Sequence, residues 1–134
     1  MCKFFQTTTP RASIEWVLRI GVCGEFLGHG VLALGGKAAW VEWMTRLLGV
    51  TPETGLQIVH GIGTLDVMVA AIILFVPIRL ALLWATFWGF TTALARPIMG
   101  ESFWDFIERF ANWAAPLALL LLRGWPKRAK EWIE

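Results

Sequence analysis

The chain has 134 residues, 57% of them hydrophobic and only 16% charged, with a net charge of +2 and a mean hydropathy of +0.60. A soluble domain of this size cannot bury so much apolar surface, so the composition is that of a membrane protein. Four spans of about 20 residues with short loops use up the length and leave no room for a soluble enzyme domain. The basic residues are too scattered for a nucleic-acid surface, and no nucleic-acid partner is expected.

Met1 to Arg11 carry Lys3 and a Thr7-Thr8-Thr9-Pro10 stretch, with no signal-peptide core ahead of the first helix. That helix is expected over 13–34, with Ser13 as its N-cap and Gly35-Gly36 as its stop. Glu15, Trp16 and Arg19 stand at its entry, where an interfacial belt belongs. Cys23 falls inside this span and Cys2 at the extreme terminus, so the two make no natural disulfide pair, and there is no Cys-rich metal pattern.

Between residues 38 and 48, Trp40, Trp43, Met44 and Leu47 recur at helical spacing while Glu42 and Arg46 stay on the other side. The segment is too short to span a bilayer. Its pattern predicts an interfacial helix lying on the membrane, with its tryptophans at headgroup depth. Thr51-Pro52-Glu53 supplies an N-cap, a proline at the first helical position and an acid in the first turn. The second span is expected over 52–76, ended by Pro77.

The third span, 78–95, follows so closely that the second and third form a tight hairpin. Its small residues Ala81, Ala85, Gly89 and Thr92 make a stripe that continues to Arg96, which turns Arg96 inward. Pro97 and Gly100 make the next turn, and Ser102 with Asp105 forms a capping box for a fourth span over 103–122. Asp105, Glu108, Asn112 and Ala115 share one face of that helix, which offers Arg96 its partners. The tail carries Trp125, Lys127, Arg128, Lys130 and Trp132, a composition suited to an anionic membrane surface.

With the N-terminus inside, the inner segments hold Lys3, Arg11, Arg79, Arg123, Lys127, Arg128 and Lys130, against Lys37, Arg46 and Arg96 outside. The asymmetry places both termini in the cytoplasm.

Two stretches carry ionisable groups inside apolar helices: Gly21 to Gly30, with Glu25 and His29, and His60 to Asp66. Such groups are costly in a membrane and usually functional. Glu25 and His29 lie one turn apart, flanked by Gly21, Gly24 and Gly28, which are expected to let a second helix approach. In an antiparallel pair His29 and His60 both fall about one and a half turns from one membrane surface, which brings them together. Under this topology Glu25, His29, His60, Asp66, Arg96, Glu108 and Asn112 all belong to the outer half of one bundle.

Three readings of that cluster stand side by side. The polar groups satisfy one another as interhelical glue, Arg96 with Glu108 and His29 with a carboxylate. Alternatively they line a ligand or redox site, such as a pocket for a quinone headgroup, where histidine and carboxylate exchange protons. In the third reading His29 and His60 are ligands to haem b or, with Glu25 or Asp66, to a metal ion.

The basic Arg19 at the entry, the glycine-rich first helix ending in His29-Gly30, Gly61-x-Gly63 followed by an acid, and Arg79 after that helix together resemble the DoxX-like family of small four-helix bacterial membrane proteins. The likeness covers about 13–122. Family members often carry glutamate where this chain has Asp66. What the resemblance implies is a multi-pass protein of the bacterial inner membrane whose relatives include a quinone-linked subunit and partners of redox proteins. The expectation is thus an all-α, four-transmembrane-helix bundle forming a single domain over 1–134, with a short interfacial helix between its first two spans. Its function would be that of a quinone-facing subunit of a redox system among other membrane or redox proteins. The alternatives are a non-catalytic assembly subunit and a haem- or metal-binding electron carrier.

Overall fold

The structure, a computed structural model, describes residues 10–134, so Cys2, Lys3 and the threonine run lie outside the described residues. These form six α-helices and a closing 3-10 turn: α1 (Pro10–Leu34), α2 (Ala38–Leu48), α3 (Pro52–Phe75), α4 (Arg79–Ile98), α5 (Phe103–Ile107), α6 (Phe110–Arg123) and Ala129–Ile133. The described chain is all-α. Two helices, α1 and α3, are long and apolar enough to cross a membrane. Only 22% and 33% of their most apolar windows are buried, whereas the core helix of a soluble protein would be mostly covered.

Local chemistry accounts for most boundaries. Thr51 caps α3 by accepting from the Thr54 amide at 3.3 Å, and Pro52 occupies the first turn, where its missing N–H costs nothing. Ser102 caps α5 in the same way, accepting from the Trp104 amide. Gly36 and Gly49 hold φ of 67° and 65°, so the corners on either side of α2 are built on left-handed glycines.

Three boundaries differ from expectation. Ser13 lies inside α1 rather than at its cap, because the helix already includes Pro10. α4 runs through Pro97 to Ile98. The helix expected over 103–122 is broken at Glu108 and Arg109 into α5 and α6. Arg109 sits in a non-helical cap conformation there, its guanidinium bonded to the Asp105 carbonyl at 2.7 Å and paired with Glu108.

Glycines set the closest helix crossings, though they are not those flanking Glu25. α1 meets α3 where a Cβ on Gly30 would stand 2.9 Å from the Gly63 carbonyl oxygen, and one on Gly63 would stand 2.8 Å from that of Gly30. At Gly89 the α6 backbone comes so close that a Cβ would lie 2.5 Å from the Asn112 carbonyl oxygen. Among the described residues nothing stands where a side chain at Gly21, Gly24 or Gly28 would be, so none of them covers that expected packing face.

The helices arrange as α3 on α1, α1 on α6 and α6 on α4, with α2 laid on α3. α3 and α4 follow each other directly yet touch sparsely, so the expected tight hairpin is joined by the link more than by packing. One half of the bundle is dry, built on Val22, Phe26, Val69, Ile73, Leu82, Leu119 and Leu120. At that end arginines serve the carbonyls left over where helices stop. Arg19 donates to Ile73 and Leu74, and Arg79 donates to Arg123, Gly124, Glu131 and Glu134 at 2.9–3.2 Å. The other half holds a cavity.

Candidate functional site

The cavity has a volume of about 170 Å³ and lies between α1, α3, α4 and α6 under α2. α1 contributes Glu25, Phe26 and His29, α3 contributes Val59, Ile62 and Asp66, α4 contributes Trp88, Thr92 and Arg96, and Arg109 and Asn112 come from the α5–α6 break and from α6. The sparse α3–α4 contact leaves this space open. Small residues at Gly89 and Ala33 keep its walls thin.

α2 closes the cavity. Trp40, Trp43, Met44 and Leu47, the stripe read as resting at headgroup depth, line the pocket instead. The spacing identified an amphipathic face correctly, but that face has a protein partner. α2 can lie so low because α3 carries Gly55 beneath it, where a Cβ would stand 3.1 Å from the Val41 carbonyl oxygen and from Thr45 Cγ2. Glu42 and Arg46 stay exposed on the far side, 3.9 Å apart.

Asp66 is the most enclosed polar group, only 3% exposed. Its carboxyl faces the Trp88 indole N–H, while Oδ1 is buried with no hydrogen-bond partner among the described residues. An unmet buried acceptor costs roughly 1–3 kcal/mol, more for a charged one. The Glu25 carboxyl is close enough to Asp66 to interact electrostatically and faces the Asn112 side-chain amide. His29 Nδ1 donates to the Glu25 carbonyl at 3.1 Å, and the ring stacks on Trp40 with centroids 5.6 Å apart. Since a carbonyl only accepts, Nδ1 carries the proton, and in the neutral ring Nε2 is an acceptor.

Of the residues expected in one pocket, Glu25, His29, Asp66, Arg96 and Asn112 are brought together and two are not. His60 is exposed, its Nε2 lying 3.8 Å from where a Gly36 Cβ would be. Of the two histidines, only His29 lines the cavity. The α1–α3 crossing at Gly30 and Gly63 sets a helix rotation that turns His60 outward. Glu108 is exposed and paired with Arg109, and Arg96 takes Glu101 at 2.9 Å instead. The helix break after Ile107 moves Glu108 off the inward face. Among the described residues no three of His, Cys, Asp and Glu gather as metal ligands.

Two features escaped the sequence reading: the tryptophan lid and Arg109. The lid's stripe was visible, but what it packs against was not, and Arg109 enters only through the helix break.

No family model, no characterised protein and no solved structure matches this chain.

Proposed function

We propose that the chain is a multi-pass protein of the bacterial inner membrane, a four-span bundle with both termini in the cytoplasm, whose cavity takes a quinone-type headgroup for a redox system. The spans are α1, α3, α4 and α5–α6. The outward apolar side chains support this reading, among them Val17, Ile20, Val31, Met68, Phe75, Phe87 and Leu121, each more than half exposed and distributed over all four spans. Such a surface is stable against lipid and not against water.

The observation that carries the pocket reading is the pairing of size with chemistry. A cavity of about 150 Å³ holds one benzene ring, so 170 Å³ accommodates a single six-membered ring. Trp40, Trp43 and Trp88 supply flat apolar walls, and Asp66, Glu25 and His29 supply groups that bind and exchange protons. The sparse α3–α4 seam offers an isoprenoid tail a way out into lipid. The likeness to DoxX-like proteins, which rests on the sequence motifs, agrees with a partner role beside redox enzymes.

The test is photolabelling of the full-length protein in native membranes with an azidoquinone. Peptides from α2 or α4 should carry the label, and excess unmodified quinone should suppress it. Absence of competable labelling would overturn the reading. A non-catalytic assembly subunit is favoured by one observation, the open glycine face of Gly21, Gly24 and Gly28. In that case changes at Asp66 or Trp88 would alter complex stability and leave electron transfer per complex unchanged.

A further inference from the structure

Charge is unevenly distributed between the two ends of the bundle. At the cavity end Lys37, Arg46, Arg96 and Arg109 stand with Glu42, Glu53, Glu101, Asp105 and Glu108. The opposite end has Arg11, Arg19, Arg79 and Arg123 on the helices and Lys127, Arg128 and Lys130 in the tail, against only Glu15, Glu131 and Glu134. The residues ahead of Pro10 add Lys3 and no acid. Arg11, Arg19 and Arg79 donate to backbone carbonyls, which satisfy their N–H groups without cancelling their charge. Arg123 and Arg19 share Glu15, at 2.7 and 3.9 Å. Lys127, Arg128 and Lys130 are exposed, and among the described residues no acid pairs with their side chains.

The fold holds those three cations in place. Arg79 anchors the tail through the Gly124, Glu131 and Glu134 carbonyls, and Glu131 Oε2 accepts from the Lys127 backbone amide at 2.8 Å. Pro126 is buried, and the Trp132 ring meets Trp125 edge-on with centroids 5.6 Å apart. In the closing 3-10 turn side chains three apart eclipse, so Lys130 and Ile133 share one edge, and both are exposed. At the same end Trp16, Phe75, Val76 and Trp125 are 48–75% exposed. An apolar rim beside unpaired cations matches the two parts of a phospholipid, acyl carbon next to phosphate. We propose that residues 125–134 form a binding surface for anionic phospholipid headgroups, with Lys127, Arg128 and Lys130 at the phosphates and Trp125 and Ile133 at the acyl boundary. On the proposed topology this is the cytoplasmic leaflet. The inference rests on the membrane reading and is independent of what the cavity holds. An acidic protein would match the cations but leave the apolar rim uncovered.

The experiment is native mass spectrometry of the full-length protein released from nanodiscs of equal parts phosphatidylglycerol and phosphatidylcholine. The protein should retain phosphatidylglycerol in about fivefold excess or more, the effect of one cation at a headgroup surface. Replacing all three tail cations together, Lys127→Gln, Arg128→Gln and Lys130→Gln, should bring the ratio close to one, with a melting curve as the folding control. Lys37→Gln with Arg46→Gln removes two exposed cations from the other end and should leave the excess unchanged. Equal retention of the two lipids by the unaltered protein, an excess that survives the triple replacement, or one lost equally in both variants would overturn the lipid surface while leaving the membrane reading standing. Failure of the protein to enter nanodiscs would overturn both.

Discussion

Gly63 shows how one missing methyl group positions the site. Its hydrogen lies against the Gly30 carbonyl oxygen and the Leu34 amide, so an added Cβ would meet backbone at 2.8–2.9 Å, and backbone cannot step aside as a side chain can. Gly63→Ala should therefore destabilise the protein by roughly 1–3 kcal/mol, read as a lower midpoint of thermal unfolding in detergent. Gly61→Ala is the matched control, two residues away, with nothing within 4 Å of its Cβ. Its effect should stay within about 0.5 kcal/mol or be stabilising, because alanine favours helix over glycine. Equal losses at the two positions would mean that α1 and α3 do not cross there. Asp66 sits one turn beyond Gly63 on α3, so the same close crossing encloses its carboxyl.

At the scale of elements, α2 and the C-terminal tail each lean on a particular residue of another helix. α2 lies against Gly55, with Thr45 and Val41 over the bare Cα. Gly55→Leu should lift the lid and open Trp40 and Trp43 to water. Iodide quenching of tryptophan fluorescence should rise in the variant; unchanged quenching would show that α2 does not depend on this contact. The tail depends on Arg79, whose planar guanidinium donates to carbonyls of Arg123, Gly124, Glu131 and Glu134 at once. A lysine ammonium offers three donors on a flexible stem and cannot reproduce that fork. Both Arg79→Ala and Arg79→Lys should make the segment after Gly124 sensitive to limited proteolysis while the bundle stays intact. Protection retained in the lysine variant would reduce the role of Arg79 to its charge.

For the whole molecule the decisive property is its outward surface. Met68 is 56% exposed in the middle of α3, whose other faces meet α1 and α2. With Met68 facing lipid, Met68→Arg should make insertion of this span about 2.5–3.5 kcal/mol less favourable in a glycosylation-based insertion assay. An unchanged inserted fraction would contradict the membrane reading of α3. The all-α class, α2 and α3 within a residue of their observed ends, and the inward turn of Arg96 were all legible in the sequence, because periodicity, caps and glycine stops act over a few residues. So was the placing of Glu25 and His29 on one face of α1, which one helical turn dictates, although His29 bonds the Glu25 backbone carbonyl and not a carboxylate. The rotation that takes His60 out of the cavity, the break that carries off Glu108, the glycines that carry the crossings and the target of the tryptophan stripe were decided only by the tertiary structure. Each depends on which backbone another helix presents at contact distance, and an amphipathic pattern records that a face is covered without recording what covers it.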